Sequence, residues 1–184
     1  IYTLSLHVGL PMCNETASFG FAASEDEAMC IAFRNLTDQV YSPQDEAVLR
    51  GKMQGILADR QIKRIAQNGN FDAYWMGYKD SIRWGDIYLD TMLAHFTLYP
   101  PLPHNLGFLT TQYTDHPYYK DDGKTWRDTN NLDKFWRYNW KDAVLTRMIA
   151  KKPLVELREQ KMDDAYFSHV SRLGRHLVSM TVNG

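Results

Sequence analysis

The N-terminal third alternates in the manner of β structure. From Ile1 to Val8, the apolar residues Tyr2, Leu4, Leu6 and Val8 interleave with Thr3, Ser5 and His7, a period of two that predicts a strand with one buried face. Thr16 to Ala23 and Ala28 to Phe33 are apolar, β-prone runs separated by the polar turn Ser24-Glu25-Asp26-Glu27. Three short strands in antiparallel succession are expected.

The spacing then lengthens to that of a helix. Ser42-Pro43-Gln44-Asp45 supplies a cap, a proline at the first helical position and an early acid, and an apolar stripe from Ala47 to Leu57 predicts a helix to about Asp59. Ile62 to Gln67 reads as a strand that ends in Asn68-Gly69-Asn70, after which Phe71-Asp72 opens a helix. Ile87 to Leu98 reads as a further helix, stopped by Pro100, Pro101 and Pro103, and Asn105 to Tyr113 as a short one. Thr114 to Lys134 is polar and longer than most connections, so it is expected to be an exposed functional loop. Phe135 to Ala150 returns to helical spacing. Beyond Pro153 an amphipathic run places Leu157, Ala165, Phe167, Val170, Leu173, Leu177 and Met180 on one side. Strands first and then alternating strands and helices predict an α/β fold, a mixed β-sheet flanked by α-helices.

Composition narrows the functional classes. The 184 residues are 44% hydrophobic and 23% charged, which suits one globular domain with a core. The 21 Lys and Arg against 22 Asp and Glu leave a net charge of -1, so no global positive field draws in nucleic acid and a polyanion must be held by a local site. Cys13 and Cys30 form neither a disulfide framework nor a metal-binding pair, pointing to a reducing, cytoplasmic setting. No apolar run approaches the ~20 residues that span a bilayer, so no membrane association is expected. Without an initiator Met, the chain reads as a piece of something longer.

Two stretches carry candidate chemistry. Ala66-Gln67-Asn68-Gly69-Asn70-Phe71-Asp72 delivers Asp72 from a strand end to the start of a helix, where it equally suits an acid stabilising a first helical turn. Tyr138 and Asp142 lie one helical turn apart in Tyr138-Asn139-Trp140-Lys141-Asp142. They share a face, where a phenol and a carboxylate can hold a metal-bound water, or where the tyrosine simply packs on the core.

In this order, Asn-x-x-Phe-Asp followed by Tyr-x-x-x-Asp resembles the second and third motifs of the Tyr-containing branch of the DEDD 3′-5′ exonucleases, as found in the proofreading domain of family A DNA polymerases. Leu89-Asp90-Thr91-Met92-Leu93-Ala94 is similar to the helix following the second motif, and Tyr118-Tyr119-Lys120-Asp121 with Gly123-Lys124 to a loop of phage-type enzymes. The last residues, Leu173 to Gly184, resemble the opening of the polymerase domain. The resemblance implies an RNase H-like fold and two-metal phosphodiester hydrolysis with Mg²⁺ or Mn²⁺, in which two cations about 3.5–4 Å apart activate water and stabilise charge. It implies Asp72 and Asp142 as metal ligands, Tyr138 as the residue orienting the water, and Asn68 as the residue fixing the loop. A single-stranded DNA 3′ end would be the substrate, with Asn68, Phe71, Tyr118, Tyr119, Lys120 and Lys124 at its surface. Residues 1–153 would be the exonuclease-like domain, and 154–184 the connection to a polymerase domain of the same chain.

One element of that pattern is missing. The first motif, Asp-x-Glu on strand one, is nowhere near the start of the chain. Either Ile1–Val8 is strand one, with Ser5 and His7 in the degenerate register, or it is the second strand and the acidic pair lies upstream. Both imply weak or lost hydrolysis. A non-catalytic scaffold of a polymerase, and a free-standing ribonuclease D-like enzyme, are the other readings. Asp90 is expected to start a helix or support the site rather than bind a metal. The aromatics Tyr74, Trp75, Tyr78, Trp84 and Tyr88 suit core packing better than base stacking.

Overall fold

The computed structural model describes residues 2–9, 16–35, 38–120 and 132–183; the side chains of 2–9, 35, 175, 182 and 183 lie outside that description. Its centre is a five-stranded mixed sheet. Strand β1 (Tyr2–Gly9) pairs antiparallel with β2 (Ser18–Ala22), which pairs antiparallel with β3 (Ala28–Ala32). On its other edge β1 runs parallel to β6 (Ile62–Ala66), and β6 parallel to β7 (Ile87–Asp90). Parallel neighbours need long crossovers. Helix α1 (Pro43–Ala58) lies in the path to β6, and α2 (Gly69–Asp80) joins β6 to β7. A small ribbon, β4 (Arg34–Asn35) with β5 (Asp38–Gln39), precedes α1.

Strand β2 is buried along its whole length because both sheet faces are covered. Its alternation assigns the layers. Phe19 and Phe21 face a cluster with Phe33, Met53 and Leu57 of α1, Met76 of α2 and Ile82. The opposite face carries small residues: Ala22 packs with Ala143 and Val144 of α5 (Leu132–Ile149). Gly20 lets that helix approach, since a Cβ there would lie 2.8 Å from the backbone oxygen of Asn139. Helices α3 (Thr91–Leu98) and α6 (Lys151–Glu159) close another cluster, in which Ala94, Leu98 and Leu157 pack with Ile65, Leu89 and Tyr166. Helix α4 (Leu106–Tyr113) packs on Ile149. A turn, α7 (Asp163–Ala165), and a π-helical turn, Tyr166–Val170, lead into α8 (Ser171–Asn183).

The three early strands, the capped α1 and the helix after Asn68 match expectation. The cap of α1 is the Ser42 side chain, accepting from the Asp45 amide at 3.2 Å. Three readings are corrected. Ile87–Leu98 is a strand followed by a helix, because Asp90 caps a new helix. Pro153 lies inside the first turn of α6, where its missing N–H costs no intrahelical bond. The amphipathic stripe beyond Leu157 is broken by the turn at Gln160–Met162 and shifted by the π turn, so Leu157 is buried while Leu173, Leu177 and Met180 are exposed.

A charged network fastens the α1 side. Glu46 is buried and accepts from Arg34 at 2.8 Å and from Arg50 Nη2 at 2.8 Å, and Arg50 reaches on to Asp80 at 2.5 Å. Asp80 in turn accepts from the Thr16 hydroxyl at 2.7 Å. Burial alone would raise the Glu46 carboxyl, but the hydrogen bonds from Arg34 and Arg50 outweigh it and hold it below the ordinary carboxylate range.

Candidate active site

Strand β1 is flanked on both edges, antiparallel by β2 and parallel by β6, and so lies at the centre of the sheet. Ser5 is in register with Ile65 and Leu6 with Ala66, so Ser5-Leu6-His7 runs along the carboxyl end of β6. Open sheets with parallel strands place ligands at such strand ends. The side chains of Ser5 and His7 lie outside the described residues.

The chain leaves β6 through Asn68, held in the left-handed conformation at φ 58°, ψ 44°. Asparagine tolerates this region better than most residues. Its side chain makes no cap; the loop is fixed instead by the carboxylate of Asp90. That carboxylate accepts from the amides of Asn68 at 3.1 Å, Gly69 at 2.7 Å, Met92 at 2.9 Å and Leu93 at 3.3 Å. One buried acid thus starts α3 and pins the beginning of α2. Burial pushes its carboxyl up, against the four amides that pull it down. Gly69 is required by crowding: a Cβ would lie 2.5 Å from that of Ala66. The backbone of Asp90 is gripped by Tyr166 of the π turn, whose hydroxyl accepts from the Asp90 amide at 2.8 Å. Asp90 is therefore the supporting helix acid expected from the sequence.

This scaffold places Asp72 in the first turn of α2, where a negative charge suits the helix dipole. It is only 2% exposed, so it faces inward and is not a solvated capping acid. Phe71 beside it is 46% exposed and Asn68 is exposed.

The second acid is carried by α5. Asp142, midway along α5, is 1% exposed. Lys120 spans it, its ammonium donating to both carboxylate oxygens at 2.8 and 2.9 Å and to the Tyr138 hydroxyl at 2.8 Å. The Tyr119 hydroxyl also donates to Asp142. The rings of Tyr119 and Tyr138 lie 5.8 Å apart, and the Lys120 nitrogen is 5.1 and 4.8 Å from their centroids. Burial first, and then the charge of Asp142, push the Tyr119 phenol far above its ordinary range, so it stays protonated and remains a donor.

Asp142, Tyr138, Tyr119 and Lys120 are thus brought together, while Asp72 is buried on α2; α2 and α5 both pack on β1. Two expectations fail. Tyr119 is 4% exposed and Lys120 is engaged with Asp142, so neither stands out in an exposed loop; only Tyr118, at 57%, does. The core-packing expectation fails only in part: Trp84 and Tyr88 pack against core clusters, whereas on α2 Tyr74 and Tyr78 stack at 5.7 Å and Tyr78 is 58% exposed. Lys124 lies outside the described residues. The contact of Lys120 with Asp142 had no signal in the sequence beyond an aromatic pair set in a polar loop.

Among the described residues no group of three His, Cys, Asp or Glu side chains is placed to hold a metal ion. What lies across Asp142 is an ammonium. The described donors therefore do not fit a two-ion centre.

The sequence matches a family model described as 3′-5′ exonuclease, of the DNA polymerase A type, over residues 14–158, and the chain belongs to that family. No curated protein matches it significantly. Among solved structures it is similar to Pol1 from M. smegmatis in complex with DNA primer-template and dNTP, with TM-score 0.75 and 14% identity over 99% of this chain. It spans 28% of that much longer chain. It is also similar to Brucella melitensis NrnC with bound Mg²⁺ (TM-score 0.76, 11% identity, 100% of this chain and 87% of that one). A third is the catalytic core of RRP6 from Trypanosoma brucei (0.65, 16% identity, 94% and 45%). These likenesses establish the fold, which is RNase H-like. Among the described residues no helix is long and apolar enough to cross a membrane.

Proposed function

We propose that the chain is the 3′-5′ exonuclease-type domain of a family A DNA polymerase, that it binds the 3′ end of single-stranded DNA, and that its own phosphodiester hydrolysis is weak or lost. The observation that carries this reading is the pairing of β1. The strand in the central position, where related exonucleases bear two acids, bears Ser5 and His7. Hydrolysis of this kind needs a gathered set of carboxylates to hold hard cations, and neither a hydroxyl nor an imidazole replaces them. The exposed Phe71 and Tyr118 offer faces on which bases stack without regard to sequence, and Asp72, Tyr138 and Asp142 are the residual site. Residues 154–184 would continue towards a polymerase domain.

A 3′-labelled single-stranded DNA incubated with the protein and Mn²⁺ should be bound yet stay essentially uncut. Rapid trimming that vanishes in Asp142→Ala would sink the reading. The double variant Ser5→Asp with His7→Glu should gain measurable cleavage. A second reading, a free-standing ribonuclease D-like enzyme, is supported by the likeness to NrnC, most of whose length is covered; it requires that RNA of the same sequence be bound more tightly than DNA and be degraded.

A further inference from the structure

The arrangement at Asp142 differs from an ordinary surface ion pair. The carboxylate is 1% exposed, and the ammonium lies nearly symmetrically between its two oxygens, at 2.8 and 2.9 Å. That is the direction from which a cation approaches a carboxylate to engage both oxygens at once. The third contact of the ammonium is the Tyr138 hydroxyl, the group that the exonuclease resemblance would assign to a metal-bound water. Two aromatic faces, Tyr119 and Tyr138, flank the nitrogen and favour a cation there. The Tyr119 hydroxyl also donates to Asp142.

We propose that Lys120 is the resident cation of this site, a built-in counter-ion that occupies the binding face of Asp142 and holds Tyr138 beside it, so that a divalent ion can engage Asp142 only by displacing it. The inference deepens the exonuclease-type reading and rests on it for the identity of the site, but its test is independent of cleavage. The charge balance points the same way. A divalent ion would bring two positive charges to a carboxylate whose single negative charge Lys120 already balances. A second cation brought up to Asp142 would meet the ammonium within a few ångströms in a poorly solvated setting, where like charges repel strongly. Lys120 acts through Asp142 and Tyr138 and is a positioning residue.

The experiment is a Mn²⁺ titration of the full chain, following free Mn²⁺ by electron paramagnetic resonance and thermal unfolding in parallel. Wild-type protein should bind Mn²⁺ weakly and show little change in Tm between EDTA and Mn²⁺. Lys120→Met removes the charge, leaves Asp142 buried and uncompensated, and should bind Mn²⁺ at least tenfold more tightly, with a Tm that is lowered in EDTA and restored by Mn²⁺. Lys120→Arg should stay as weak as wild type. Adding Asp142→Asn to Lys120→Met should abolish the gain. Mn²⁺ affinity that is unchanged or weaker in Lys120→Met overturns the proposal, as does an equal gain in Lys120→Arg. If Lys120→Met does not fold in EDTA, refolding it in Mn²⁺ gives the same decision: recovery of the fold supports the proposal, and failure to recover in either Lys120→Met or Lys120→Gln overturns it. Failure of the underlying reading registers elsewhere, as absence of DNA binding or as vigorous trimming by the wild type.

Discussion

Asp90 and Asp142 are both almost wholly buried carboxylates, and the protein answers their charge in opposite ways. Asp90 is enclosed by four backbone amides. Those donors belong to the main chain of two helix starts and cannot swing away. Asp142 is met by the side-chain groups of Lys120 and Tyr119, both from a segment joining two helices. A lysine side chain can be displaced, provided that the incoming cation compensates the buried carboxylate it leaves. An acid answered by backbone fixes a shape, whereas one answered by side chains leaves an exchangeable position.

The largest way to break this contrast is Asp90→Ala. It strips four amides of their acceptor and removes the cap of α3, so we expect a loss of about 3 kcal/mol or more by urea denaturation. Asp90→Asn keeps one acceptor oxygen and should lose distinctly less. On the Asp142 side, Gly20→Ala tests how tightly α5 is seated, because the new methyl meets the Asn139 backbone. About 2 kcal/mol should be lost, as for other overpacked sites. Tyr166→Phe removes only the hydroxyl that accepts from the Asp90 amide. It should cost about 1 kcal/mol, and amide hydrogen exchange should quicken at Asn68 and Gly69 while α5 stays protected.

A third acid sharpens the comparison through pH. Glu46, answered by guanidinium groups, has its carboxyl held below the ordinary value. A lowered folded-state value means that its contribution is fully present above the ordinary glutamate range and is lost as pH falls through the lowered one. Melting temperature in wild type should therefore drop more steeply as pH falls below the ordinary glutamate range than in Glu46→Gln. The smallest effect concerns Cys30, whose thiol is pushed up to about 11 by burial and lies 3.7 Å from the Asn139 side chain of α5. Peptide mapping after iodoacetamide treatment at pH 8 should show alkylation at least tenfold slower than for free cysteine; fast labelling would mean that α5 lifts readily from the sheet.

Much of the fold was legible because it rests on local signals. The period of two from Tyr2 to Val8, the Ser42-Pro43 start of α1 and the Asn-rich exit from β6 each act within a few residues. The break inside Ile87–Leu98 was missed although Asp90 is a capping residue, because apolar residues on both sides of it mimic one continuous helix. The acids Asp72 and Asp142 stood out by spacing and by resemblance. What could not be read was anything decided by distant partners. Polar residues around Tyr119 and Lys120 suggest solvent, yet a buried carboxylate on α5 draws both inward. Tyr74, Trp75 and Tyr78 look like core residues, yet the inward side of α2 is already taken by Asp72, Ala73 and Met76.

The grip of Tyr166 on Asp90 spans 76 positions of chain. A nascent polypeptide emerging from the ribosome would already have made β6, α2 and α3 before that tyrosine was translated. The turn presenting Asp72 would wait, incompletely braced, until Tyr166 had been read. Maturation of the acid-bearing loop would in this way be timed to the arrival of Tyr166, and a chain cut short before that residue would lack the brace.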